Sequence, residues 1–86
     1  MRLIIISKEI VMALTSATIG KHVVLNTING SDKLKRKLRD MGLTDGVRFL
    51  PVLKTKNGPM VVEIRGTRLA ISDQIAAMLD VTPLNA

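Results

Sequence analysis

A mainly β fold is the architecture this sequence predicts: a small antiparallel β-barrel with one short helix between strands and a short C-terminal helix. Three observations predict it. Runs rich in β-branched residues have strand length, glycine-marked turns separate them, and the helical crossovers that a parallel sheet requires are missing between successive runs. Closing such a sheet into a barrel leaves no strand edge exposed. The 86 residues are 47% hydrophobic and 23% charged, enough for one small core and too few for two. Phe49 is the sole aromatic residue, so the core must be Val, Ile, Leu and Met. The chain has no cysteine, which excludes a disulfide framework, a thiolate zinc site, an iron–sulfur cluster and a cysteine nucleophile.

The chain opens with two apolar patches, Leu3-Ile4-Ile5-Ile6 and Ile10-Val11-Met12, around the charged pair Lys8-Glu9, and their period matches neither helix nor strand. Two readings stand for the Ile-rich start: a strand that extends the sheet, or an apolar edge that pairs with another subunit. Residues 1–13 are read as an N-terminal extension, 14–82 as the barrel domain and 83–86 as a C-terminal tail. The initial apolar run falls far short of the roughly 18 residues of a membrane span and of a secretory hydrophobic region. A cytoplasmic protein is expected.

From Gly20, the segment Lys21-His22-Val23-Val24-Leu25-Asn26-Thr27-Ile28 reads as a strand closed by the turn dipeptide Asn29-Gly30. Ser31-Asp32 then supplies N-cap chemistry. Leu34, Leu38 and Met41 recur at helical spacing on one face, so a helix is predicted over residues 32–41. Gly42 is placed to end it in the left-handed conformation, with Leu43 folding back onto the last turn. Thr44-Asp45-Gly46 turns into a strand over residues 47–53, whose Pro51 cannot donate to a ladder and so implies an edge or a bulge. A polar loop over residues 54–59 leads into a strand in which Met60, Val62 and Ile64 share one face and Val61, Glu63 and Arg65 the other. Gly66-Thr67 turns again into a short strand, Arg68-Leu69-Ala70-Ile71. Ser72 caps a short helix carrying Ile75, Met78 and Leu79 inward, and Val81 and Pro83 end the pattern. On the strand after Gly46, Val47 and Phe49 lie on one face and Leu50 and Val52 on the other. Two apolar faces imply that part of the exterior is covered, by the N-terminal segment or by a partner.

Thirteen Lys and Arg against seven Asp and Glu give a formal charge of +6, which favours acidic proteins, nucleic acids or anionic surfaces as partners. The charge concentrates on the helix. With Leu34, Leu38 and Met41 inward, Lys33, Arg36 and Arg39 point outward, and Lys35 and Lys37 flank the apolar stripe. A solvated face is one reading and a docking face for an acidic surface the other. The candidate partner-binding residues are Lys33, Arg36, Lys37 and Arg39, with Lys54 and Lys56 on the hairpin loop. A nucleic-acid-binding barrel is the alternative, but single-strand and RNA readers stack bases on aromatic side chains, which Phe49 alone cannot supply. His22, Glu63, Asp45 and Asp73 are competent metal ligands without ligand spacing, so no metal site is assigned. One histidine and the absence of phosphate-loop or dinucleotide glycine patterns leave no catalytic constellation, and no cofactor is assigned.

The run Leu34-Lys35-Arg36-Lys37-Leu38-Arg39-Asp40-Met41-Gly42-Leu43-Thr44-Asp45-Gly46 resembles the signature of the FeoA family, the small cytoplasmic component of bacterial ferrous iron transport. The flanking elements match in order: Gly20, Val23 and Ile28 before the helix, Gly58-Pro59, Val62-Glu63-Ile64-Arg65-Gly66, Leu69-Ala70-Ile71, Ala76 and Val81. The resemblance covers residues 14–81. It implies an SH3-like barrel similar to the terminal domain of iron-dependent repressors of the diphtheria-toxin-repressor type. It also implies a non-enzymatic accessory or regulator that contacts the cytoplasmic GTPase domain of a ferrous iron transporter. Such a protein has no small-molecule substrate and meets the inner membrane only through its partner. Self-association through the N-terminal strand or a barrel edge is a further expectation.

Overall fold

Residues 10–84 are described by the computed structural model; the Leu3-Ile4-Ile5-Ile6 patch, and with it the choice between its two readings, lies outside them. In chain order the elements are β1 (Met12–Ala13), a 3-10 turn (Leu14–Ser16), β2 (Val23–Ile28), α1 (Asp32–Asp40), β3 (Arg48–Lys54), β4 (Met60–Ile64), β5 (Thr67–Ile71), α2 (Asp73–Ala76) and β6 (Leu79–Pro83). The six strands form one antiparallel sheet in the order β1-β6-β2-β3-β4-β5. The expected closure is incomplete among the described residues: no ladder joins β5 to β1, so these two remain edges.

Alternation places the core. Val23 and Leu25 of β2, Phe49 and Pro51 of β3, Met60, Val62 and Ile64 of β4, and Leu79 and Val81 of β6 are all buried. In β2 the register shifts between Leu25 and Thr27. The bulge reverses the phase of alternation, so that Ile28 turns inward and Thr27 outward. A second bulge lies between Pro51 and Leu53 in β3. Of the two settings expected for Pro51, the bulge is the one found; β3 lies between β2 and β4 and is not an edge. The missing N–H therefore falls where the ladder is already interrupted.

Helix α1 begins at Ser31, whose hydroxyl accepts from the Leu34 N–H at 3.1 Å. It ends in a Schellman turn: Leu43 N–H donates to Leu38 O at 2.9 Å and Gly42 N–H to Arg39 O at 3.0 Å, with Gly42 at a φ of 104°. The reversal drives Leu43 into the core, fully buried, and leaves Met41 42% exposed. Met41 is thus not the third inward residue of the helix; the turn begins before it can reach the core.

The β4–β5 turn is Arg65-Gly66 rather than Gly66-Thr67. Ile64 pairs with Thr67, and Arg65 and Gly66 both take positive φ, 52° and 82°. A two-residue connection with both central φ positive is a type I′ hairpin turn. The C-terminal helix is also shorter than expected. Ser72 caps it as predicted, accepting from Ile75 N–H at 3.2 Å, but one turn later the chain becomes β6. Leu79 is buried as a strand residue between β1 and β2, and Met78 is 38% exposed instead of inward. β6 runs through Pro83, which pairs with Val23, and its other side receives Met12 and Ala13.

Candidate functional site

The six candidate cations fall into two groups that the fold keeps apart. On α1, Lys33, Arg36, Lys37 and Arg39 are all exposed, with Leu38 buried beneath them and Leu34 and Lys35 half-buried. Lys37 and Arg39 sit in the last turn, where the C-terminal end of the helix dipole favours positive charge. Lys54 and Lys56 are exposed at the far end of the β3–β4 hairpin. Gly42, at the foot of α1, lies against Ile64 at the opposite end of β4 from Met60, and Met60 pairs with Lys54. The length of β4, roughly 13 Å at about 3.3 Å per residue, separates the foot of α1 from the Lys54 end of the hairpin. Lys54 is also engaged: its Nζ donates to Thr15 O at 2.8 Å.

A different set of cations does converge. Residues 20–22 leading into β2, the start of β3, Glu63 of β4, the Arg65-Gly66 turn and Leu84 line an open groove of ≈ 980 Å³. The sheet register explains why. Val23 opposes Phe49, both facing the core; one residue further on, His22 and Leu50 therefore face outward side by side. Leu50 opposes Glu63, and Glu63 opposes Arg68. Arg48, two residues before Leu50, shares the outward face, and Lys21 and Arg65 stand at the strand ends. The wall is pinned by backbone hydrogen bonds, from Leu84 N–H to His22 O at 2.9 Å and from Gly20 N–H to Pro51 O at 2.8 Å.

Lys21, Arg48 and Arg65 thus bring three positive charges to one groove against the single carboxylate of Glu63, whose Oε1 has Arg68 Nε at 3.7 Å. Local charge density in the sequence peaks on α1 and not at these three positions. Their signal was the outward phase of Arg48 and Leu50 about Phe49, combined with cations at the ends of neighbouring strands. His22 and Glu63 share the groove, but Asp45 and Asp73 do not line it. Among the described residues no three His, Asp or Glu side chains gather as a metal site, and no polar or charged side chain is buried. The Phe49 side chain is 1% exposed, so it offers no stacking surface. No helix among the described residues is long and apolar enough to cross a membrane.

An antiparallel sheet carrying an inserted basic helix and an outward basic groove is the architecture of an SH3-like barrel domain. Within that class the chain belongs to the FeoA domain family, whose model matches residues 12–83. A crystal structure of an iron uptake regulatory protein (FeoA) is similar at a TM-score of 0.81 and 28% identity, over 87% of this chain and 100% of the other. The NMR structure of a FeoA-like protein from Clostridium acetobutylicum has a TM-score of 0.77 and 23% identity, over 93% of each chain. ScaR with bound Zn2+ has a TM-score of 0.76 at 18% identity; the likeness covers 92% of this chain but 39% of ScaR, and concerns the fold alone. No curated protein matches the chain in sequence.

Proposed function

We propose that this protein is a non-enzymatic accessory of ferrous iron transport, acting by contact with the cytoplasmic GTPase part of the membrane transporter. The observation that carries the reading is the FeoA family match across residues 12–83, joined to the 28% identity with an iron uptake regulatory protein of the same fold. Through such a partner the protein would sit at the inner face of the membrane. Exposed cations on α1 support an acidic protein surface as the target, since complementary charge accelerates encounter. Burial of the only aromatic side chain supports protein over nucleic acid, because single-strand binding barrels gain about 1–3 kcal/mol per base from stacking on exposed aromatics.

The test is a titration of the protein with the transporter's GTPase domain at low and physiological salt, with DNA and RNA alongside. Binding to the GTPase domain is expected, weakened by salt and by about tenfold when Arg36→Glu and Arg39→Glu are combined. Absence of binding there, with salt-sensitive binding to nucleic acid instead, overturns the reading.

A further inference from the structure

We propose that the Lys21–Arg48–Arg65 groove holds an extended acidic segment of a partner protein. Carboxylates of the segment are taken by these three cations, and its intervening apolar side chains lie along Leu50 and Leu84. The inference rests on the contact reading above and identifies which surface does the holding.

Charge is the first argument. The only ion pair among the described residues is the one between Arg68 and Glu63, so within those residues Lys21, Arg48 and Arg65 form no ion pair, and Glu63 is the one carboxylate lining their groove. Like charges held around one hollow repel one another, and an anionic ligand relieves that repulsion while offering Arg the bidentate geometry it favours. Shape is the second. The groove is open and combines the cations with half-buried Leu50 and Leu84. A lone small anion would leave that apolar strip uncovered, whereas an extended peptide presents charged and apolar side chains alternately.

The third argument comes from Arg65 itself. It occupies the first central position of a type I′ turn at a φ of 52°, where Asn, Asp or Gly is strongly preferred. A left-handed conformation brings the Cβ of an ordinary side chain too close to the following carbonyl oxygen and is strained. Keeping a guanidinium at a strained position on the groove rim is a local sacrifice of stability, of the kind that accumulates at binding sites. The helix and the groove then divide the work: solvated charges on α1 steer the encounter, and the groove sets how long the complex lasts.

The test is a 1H–15N chemical-shift titration of the full chain with two blocked peptides, Glu-Leu-Glu-Leu-Glu and Gln-Leu-Gln-Leu-Gln, and with inorganic phosphate. The acidic peptide is expected to move the amides of Lys21, His22, Arg48, Leu50 and Arg65, and the Gln peptide to bind at least about tenfold more weakly. Arg48→Glu, or Lys21→Glu outside any strand, should weaken the acidic peptide by about tenfold with the remaining spectrum unchanged. Shifts confined to α1, equal binding of the two peptides, or groove shifts from phosphate alone overturn the inference. So does a GTPase domain that binds the wild type and both groove variants equally, an outcome that leaves the contact reading intact. Failure of the GTPase domain to bind at all, with groove shifts still produced by the acidic peptide, sinks the contact reading and not the groove.

Discussion

At Gly42 the chain reverses with a φ of 104°, and the two hydrogen bonds of the Schellman turn depend on that angle. A Cβ there would meet only Ile64 Cγ2 at an ordinary 3.7 Å, so the demand for glycine is conformational and not steric. Arg65 sits at positive φ as well but carries a full side chain. The two positions therefore predict opposite responses. Gly42→Val should lower stability by about 1–2 kcal/mol or more, since a β-branched residue must adopt the left-handed conformation or break the cap. Arg65→Asn should raise stability by up to about 1 kcal/mol, because asparagine suits the turn. Urea midpoints at constant slope decide both. An unchanged midpoint for Gly42→Val removes the cap assignment, and a lowered one for Arg65→Asn removes the strain at that turn.

Among the elements, β2, α1 and the β4–β5 hairpin were legible because each has a strong local signal, β-branched residues in β2 and a dominant period in α1 and β4, and a chemical terminator: Asn29-Gly30 after β2, Ser31 and Gly42 around α1, and a glycine turn after Ile64. β6 was not. Ile75, Met78 and Leu79 suit a helical stripe, while Leu79 and Val81 suit a strand, and a stretch this short satisfies both periods. Long-range pairing decides between them: β6 slots between β1 and β2, partners that no local pattern reveals. Asn29 Nδ2 bonding Asp80 Oδ2 at 2.9 Å and Asn26 Nδ2 bonding Thr82 Oγ1 belong to the same distant pairing. The difference is measurable. Leu79→Ala should cost about 2–5 kcal/mol through the cavity it leaves, and Met78→Ala about 1 kcal/mol or less because Met78 is 38% exposed and leaves no enclosed cavity. Equal costs would restore the helical reading of this segment. The groove escaped notice for the same reason as β6, since Lys21, Arg48 and Arg65 are far apart in sequence and meet only through strand register.

For the molecule as a whole, a charge of +6 acts as one field only at a distance; close to a partner it resolves into separate patches. At physiological ionic strength the screening length is about 8 Å, whereas the loop bearing Lys56 lies beyond the far end of β4, whose length of roughly 13 Å separates it from the C-terminal end of α1. Charges that far apart share neither contacts nor much field, so their effects on binding should add within about 0.5 kcal/mol. Arg48 and Arg65 line the same groove and would grip the same segment, so theirs should not. The expected result in the GTPase-domain titration is a double mutant of Arg36→Glu and Lys56→Glu that equals the sum of the single changes. Combining Arg48→Glu with Arg65→Asn should instead cost less than the sum, since either change alone already loosens the bound segment. Additivity in the groove pair would mean that the two arginines act as independent surface charges. Coupling between Arg36 and Lys56 would mean that the partner bridges both ends of the β3–β4 ribbon and that the contact is far larger than one groove.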